Sequence, residues 1–397
     1  MAKEKILIVG GGFGGIKTAL ELSSDKRFAV TLLSDRPDFQ YYPSLYRVAT
    51  GGKVDNALIP LTNIFKGKDV HIVQGKAASL DRQARTVRTE QGDEIPYDTL
   101  VLALGVVTNF FGIKGLDQYA YGIKSRDDVT RFKSHLHKQL TNERRPDLNY
   151  VIIGGGPTGI ELAGALPAYL KQIMQNHGIK QRAIHIDLIE AAPRLLPRLP
   201  RDTAVAVRRR LRHLGVKLYL NQTVQGETAD ELTVNGKAIR SHTVVWTAGV
   251  TNNPFFSQNN FALTKRGKVA CDVYLQAEDN IFVIGDNANS PYSGMAQTAI
   301  YDGEFVSRNI KRRSSGKEFK SYKPKRPTTV IPVGEHWAAM VRGKLHAYGR
   351  LGWLLREAAD FAGFLDYEAL KPASKQWLTE FGGEEKCAVC LMASLKR

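Results

Sequence analysis

Two glycine-rich turns, one opening at Gly10 and the other at Gly154, limit what this chain can fold into more than any other feature. Lys5-Ile-Leu-Ile-Val9 is a short apolar, β-branched run of the kind that forms a central parallel strand. It passes directly into Gly10-Gly11-Gly12-Phe13-Gly14-Gly15, with glycines at the first, third and sixth places of G-x-G-x-x-G. A helical pattern follows, with Ile16, Ala19 and Leu20 on one side and Lys17 and Glu21 on the other. Then Phe28 to Leu33 reads as a second strand, ending in Ser34-Asp35. The same grammar recurs: the strand Asn149–Ile153, the turn Gly154-Gly155-Gly156-Pro157-Thr158-Gly159, a helix, and the strand Ile184–Ile189 ending at Glu190.

Each glycine has a mechanical task. Gly10 and Gly154 permit the tight turn, Gly12 and Gly156 let backbone approach a pyrophosphate, and Gly15 and Gly159 allow close helix–strand packing. The phosphate then rests on a helix N-terminus, where free N–H groups and the helix dipole favour negative charge. Two turns in full context predict two nucleotide sites, and so two dinucleotides meeting between domains. Glu190 closes its strand where a carboxylate can accept both hydroxyls of an adenosine ribose and repel a 2′-phosphate, which favours NADH over NADPH. Arg194 and Arg198 stand near enough in sequence to soften that choice. Glu190 arrives later than the roughly 20 residues usual for the motif, which predicts a lengthened helix through 168–180. In the first unit either Ser34 or Asp35 can bind a ribose.

At 397 residues the chain has room for two or three domains at a prior of roughly 150 residues each. Its 43% hydrophobic and 24% charged residues are ordinary for a globular protein. Lysine plus arginine is 56 against 39 acidic residues, a net charge of +17 that asks for an anionic partner or surface. Three cysteines, Cys271, Cys387 and Cys390, exclude a disulfide scaffold. The start, MAKEKILIVG, enters a strand pattern at once, with no secretory leader expected. The longest uncharged stretch, Ser241–Thr264, is broken by Asn252, Asn253, Pro254, Gln258, Asn259 and Asn260, so it reads as strand and loop rather than a membrane span.

With these residues in view the chain resembles the two-dinucleotide-binding-domain flavoproteins, in which FAD occupies the first unit and NAD(P)H the second. Asp98–Gly105 and Val244–Gly249 resemble the strands that leave the two domains, and Asn280–Asp286 resembles the returning FAD strand. Within that group it is most similar to type II NADH dehydrogenase, the single-subunit NADH:quinone oxidoreductase. The likeness rests on Leu102–Gly105 with Thr108–Ile113, on Gly154–Leu166, and on Met295–Ala299. The resemblance implies that Gly10, Gly12, Phe13, Gly14, Gly15, Ser34 or Asp35, Ala77, Ala103, Gly105, Asp286, Ala296 and Gln297 hold FAD. It likewise implies Gly154, Gly156, Pro157, Thr158, Gly159, Glu190, Ala248 and Gly249 for NADH, and Glu161 near the nicotinamide and quinone side of the flavin. Ala296 and Gln297 fall on the family's A-Q-x-A-x-Q quinone motif, where Tyr301 replaces the second glutamine. Glu161, Gln297 and Tyr301 are therefore the candidate catalytic residues, a carboxylate or phenol being useful where a quinone takes up protons.

Rival readings are a soluble ferredoxin- or rubredoxin-type reductase, a sulfide:quinone oxidoreductase-like flavoprotein, and a nucleotide sensor without turnover. A disulfide reductase is excluded because no cysteine precedes position 271. Cys387-x-x-Cys390 is at most half a zinc site, so no metal is expected. Nucleic acid is not expected either, for no recognition motif of that class appears. An anionic membrane surface suits the basic charge better, since a quinone resides there. From Gly349 to Asp366, Leu351, Leu354, Leu355, Ala358, Phe361, Ala362 and Leu365 recur at helical spacing, as core, dimer interface or membrane contact. Trp377–Arg397 resembles a short interfacial anchor. The expected architecture is α/β: an FAD domain over 1–112 and 265–325, an NADH domain over 113–264, and a C-terminal module over 326–397. A peripheral homodimer on the cytoplasmic face of the cell membrane completes the expectation.

Overall fold

In the first unit β1 (Glu4–Val9) leads through the glycine turn into α1 (Phe13–Ser23), and β2 (Phe28–Ser34) pairs parallel to β1. A short helix α2 (Leu45–Ala49) follows, then β3 (Val70–Gln74) beside β2 and β4 (Thr99–Leu102) on the other side of β1. The computed structural model describes residues 2–54, 57–141, 147–180, 183–367 and 370–379.

The chain then crosses to a second sheet. There β5 (Asn149–Ile153) enters α3 (Pro157–Asn176), β6 (His185–Glu190) returns, α4 (Arg201–His213) leads to β7 (Val216–Leu220), and β8 (Thr243–Trp246) closes the set. Its order is β7-β6-β5-β8, all parallel. The helix expected to be lengthened is so: α3 runs 20 residues, which accounts for the late arrival of Glu190. The two crossings between sheets, Val106–Thr108 and Val250–Asn252, pair antiparallel with each other.

After the second crossing β9 (Gln276–Glu278) and β10 (Ile281–Val283) rejoin the first sheet, giving the order β9-β10-β4-β1-β2-β3. The first sheet is thus made from both ends of the sequence, with the second inserted between them, as the α/β reading expected. Ile6, Ile8, Leu32, Val101 and Phe282 are all buried in it, as strands covered on both faces require. Helix α5 (Ala296–Arg313) packs on α1, where the backbones of Gly14 and Gly303 come too close for a side chain.

A small antiparallel sheet, β11 (Thr329–Pro332), β12 (Ala338–Arg342) and β13 (Leu345–Gly349), docks on the second unit. Arg210 of α4 donates to the carbonyls of Val333 at 3.2 Å and Glu335 at 3.0 Å. Helix α6 (Arg350–Leu365) lies on this sheet, and α7 (Leu370–Thr379) packs against α6. Cys387, Cys390 and most of the expected C-terminal anchor lie outside the described residues.

Helix α6 turns out the opposite way to an ordinary amphipathic helix. Its charged residues Arg356, Glu357 and Asp360 are buried, while Leu351 and Leu354 are 59% and 57% exposed. Leu355, Ala358 and Leu365 are exposed with them, whereas Ala362 lines the inter-unit cavity. No helix among the described residues is long and apolar enough to cross a membrane.

Candidate active site

The two glycine turns are near copies in geometry as well as sequence. Gly10 and Gly154 each take φ +116°, a conformation that excludes ordinary side chains. A Cβ on Gly15 would overlap the Gly10 carbonyl oxygen, and one on Gly159 would overlap that of Gly154. Above Gly12 and Gly156, by contrast, a Cβ would meet nothing within 4 Å. Each of these glycines caps its helix without a side-chain hydrogen bond, and neither helix carries an acidic residue in its first turn. Two uncapped N-termini, with open space over the backbone, suit the phosphates of two dinucleotides.

The ribose candidates differ in geometry at the strand ends. Gly10 N–H donates to the carbonyl of Leu33 and Gly154 N–H to that of Ile189, so Ser34 stands where Glu190 stands in the second unit. Glu190 is fixed there, accepting from Gly155 N–H at 2.6 Å and Ala192 N–H at 2.7 Å. The Ser34 hydroxyl is instead buried and donates to the Arg36 carbonyl at 2.8 Å. Asp35 is exposed and faces the cavity described next. The Arg194 guanidinium donates to the carbonyls of Leu196, Pro197 and Leu199, and Arg198 lines the cavity described next.

A cavity of about 1710 Å³ separates the two units at the C-terminal ends of β1 and β4, where the strand order reverses and ligands bind in such sheets. That is larger than the ~300–1,000 Å³ typical of a single small-ligand pocket. Gly10, Gly12, Phe13, Gly14, Asp35, Ala77, Ala103, Gly105, Asp286, Ala296 and Gln297 line it from the first unit. Pro157, Thr158 and Glu161 line it from the second. Gly15 and Gly159 are buried below their turns. Gly154, Gly156, Glu190, Ala248 and Gly249 are not part of the wall. A side chain on Gly249 would strike the Asn109 carbonyl and the Phe111 ring, so this crossing segment covers that strand end.

Tyr301 lies on α5. Although one helical turn from Gln297, it does not line the cavity, and Lys325 Nζ sits 4.6 Å from the centre of its ring. Gln297 lines the cavity, its Oε1 accepting from Thr328 N–H at 2.9 Å.

Sequence reasoning missed Lys124. It lines the cavity, and its Nζ is buried without a hydrogen-bond partner. Burial lowers its pKa against the opposing pull of Asp286 and Asp128. An orphaned ammonium beside two cradles is where an anionic ligand fits. Lys268, whose ammonium reaches the Asp286 carbonyl, and Arg266 add positive charge to the same wall. No motif marks these residues; they meet only through the inter-sheet crossing.

Glu161 stands on the first turns of α3 at the base of the cavity. Burial pushes its carboxyl up to about 8, while Arg356 and Arg47 pull it down and Asp360 pushes it further up. Burial thus favours its protonated form. Cys271 is the one cysteine among the described residues; burial pushes its thiol up to about 12, and it does not line the cavity. Cys271 therefore offers no reactive thiolate to a sulfide oxidase or dithiol reductase mechanism. No group of His, Cys, Asp and Glu among the described residues is placed to hold a metal ion.

Paired cradles on inserted parallel sheets, sharing one cavity, define a double dinucleotide-binding α/β protein. The chain belongs to the pyridine nucleotide-disulphide oxidoreductase family, whose model matches residues 4–303. It is 28% identical over 367 residues to a type II NADH:quinone oxidoreductase of Staphylococcus aureus, covering 86% of this chain and 90% of that one. Its fold is similar to NDH2 from Plasmodium falciparum in complex with NADH, with a TM-score of 0.85 at 18% identity over 96% of this chain and 98% of the other. The sulfide:quinone oxidoreductase of Aquifex aeolicus is similar in fold too, with a TM-score of 0.76 at 18% identity, covering 97% and 98%.

Proposed function

We propose that the chain is an FAD-dependent NADH:quinone oxidoreductase working at a membrane surface. The observation that carries this reading is that both uncapped cradle helices open toward one cavity, whose floor holds Glu161 and Gln297 and whose wall includes the inner face of α6. The S. aureus relative of that name covers most of the chain and supports it.

FAD is assigned to the α1 cradle, with Asp35 rather than Ser34 on its adenosine ribose and Lys124 and Asp286 along its length. NADH is assigned to the α3 cradle, with Glu190 on the ribose hydroxyls. Bound FAD supplies the two-electron relay from nicotinamide to acceptor. The protein's part is to hold both rings in one enclosed cavity, exclude water and manage the acceptor's proton. Protonated Glu161 donates its O–H to the quinone oxygen as that oxygen becomes negative. Gln297, with its carbonyl taken by Thr328, presents its amide N–H₂ to the acceptor's carbonyl.

Exposed Leu351, Leu354, Leu355 and Leu365 form an apolar face on α6, and Arg342, Lys344, Leu345 and Arg350 at its N-terminal approach are exposed as well. An apolar helix face beside cations suits an anionic lipid surface. The net charge of +17 suits an anionic surface for this face, and a homodimer would form through another. The cytoplasmic face is the one where NADH is available. Testing is direct: purified protein loaded with FAD is offered NADH or NADPH with a quinone, a ferredoxin or sulfide. Rapid NADH oxidation with quinone alone supports the proposal; preference for ferredoxin, or no turnover, overturns it.

A further inference from the structure

The buried charges of α6 form a compact network against the cavity. Arg356 Nε lies 2.6 Å from Asp360 Oδ2, one helical turn on, and Arg356 Nη2 donates to the Pro43 carbonyl at 3.0 Å. Arg47 of α2 reaches across to Glu357 at 3.1 Å and to Asp360 at 3.6 Å. The Tyr41 hydroxyl donates to the other Asp360 oxygen at 3.4 Å. Arg356, Asp360, Tyr41 and Glu161 all line the cavity. The charged and titratable groups facing Glu161 are Arg356 and Asp360 from α6, with Arg47 and Tyr46 from α2.

Fastening a helix to its neighbour needs no such arrangement. Apolar residues of similar volume serve as well or better, because desolvating two charges cancels much of their attraction. Burial favours the protonated form of Glu161, the guanidiniums of Arg356 and Arg47 oppose it, and Asp360, 2.6 Å from Arg356, offsets part of their field. We propose that Asp360 is a positioning residue for quinone reduction: by neutralising Arg356 it keeps a proton on Glu161 for the acceptor oxygen. The inference rests on the reading of Glu161 as proton source given above. The balance is simple. NADH gives up a hydride, which carries the two electrons and one hydrogen that reach the acceptor, and NAD+ is left. The Glu161 O–H bond breaks to supply the second hydrogen, so both quinol O–H bonds are accounted for. The Glu161 carboxylate left behind is held by Arg356 and Arg47 until it takes a proton from water.

The test uses the full chain loaded with FAD and three variants: Asp360→Asn, Arg356→Gln and the charge-neutral double variant. Two readouts are followed against pH: quinone reduction at saturating NADH, and the carboxylic C=O infrared band of Glu161 in the resting protein, assigned by its loss in Glu161→Gln. In the wild type both fall as pH rises through about 8. Asp360→Asn moves both midpoints down by about 1–3 pH units, Arg356→Gln moves them up, and the double variant returns them toward wild type. Should Asp360→Asn fail to fold, the upward movement in Arg356→Gln and its reversal in the double variant carry the test. Slower turnover with unmoved midpoints in every variant means a merely structural pair and overturns the proposal. If Glu161→Gln leaves quinone reduction and its alkaline decline unchanged, the reading of Glu161 itself falls. If Glu161→Gln abolishes the decline while the α6 variants leave it in place, only the role of Asp360 falls.

Discussion

Replacing Leu351, Leu354 and Leu355 together by serine tests the outward face of α6 with a magnitude the structure supplies. These side chains are 59%, 57% and 36% exposed, so a membrane would cover roughly one and a half leucines' worth of surface. At ~1.5–3 kcal/mol for a fully buried leucine, that is ~2–4 kcal/mol of binding, or ~30–1,000-fold in partitioning. The same substitutions sit in water in the free protein, so each should alter folding stability by no more than about 0.5 kcal/mol. The assay is co-sedimentation with vesicles of mixed neutral and anionic lipid, at low and high salt. Wild-type binding should weaken with salt without vanishing, because salt screens charge but leaves apolar burial in place. The triple variant should lose the salt-resistant part, keep NADH oxidation with a short-chain, water-soluble quinone, and lose it with a quinone confined to the vesicle. Unchanged vesicle binding in the triple variant would refute the assignment of this face.

Other consequences follow from single contacts. Glu190→Ala should weaken NADH binding by about 1.5–3 kcal/mol, the range for hydrogen bonds to a charged group, and erode the preference over NADPH; an unchanged NADH/NADPH ratio of kcat/KM contradicts the ribose assignment. Lys124→Met should loosen the flavin, seen as earlier release of flavin fluorescence in a denaturant titration, whereas unaltered retention would place the phosphates elsewhere. Tyr301→Phe should leave quinone reduction within about twofold of wild type, since the phenol lies outside the cavity wall; a large loss of kcat would return it to the site.

The parts of this protein that could be read from sequence are those governed by neighbours in the chain. A β-branched run, a glycine that must take φ +116° and a helix after it are local requirements, so both cradles and the inserted order of the sheets were legible. The lengthened α3 followed from arithmetic on the spacing to Glu190. What escaped depends on contacts between distant segments. Periodicity divides α6 into an apolar and a charged face but says nothing about which one the sheet beneath will cover. The charged face goes inward because Arg47, some 300 residues earlier, is there to pair with it. The difference between Ser34, whose hydroxyl closes a turn on Arg36, and exposed Asp35 also lies in contacts that spacing does not encode. Tyr301 was expected beside Gln297 from motif spacing, yet the linker residue Lys325 folds back over its ring. Lys124 belongs to no motif at all and is brought to the cavity only by the crossing between sheets.

Stopped-flow absorbance of the FAD-loaded protein, mixed first with NADH and then with quinone under anaerobic conditions, addresses the two-cradle account most directly. The account requires the oxidised flavin band to bleach on the first mixing and to return in full on the second, with one quinol formed per flavin. A protein that binds no flavin, or whose flavin stays oxidised in the presence of NADH, would contradict it.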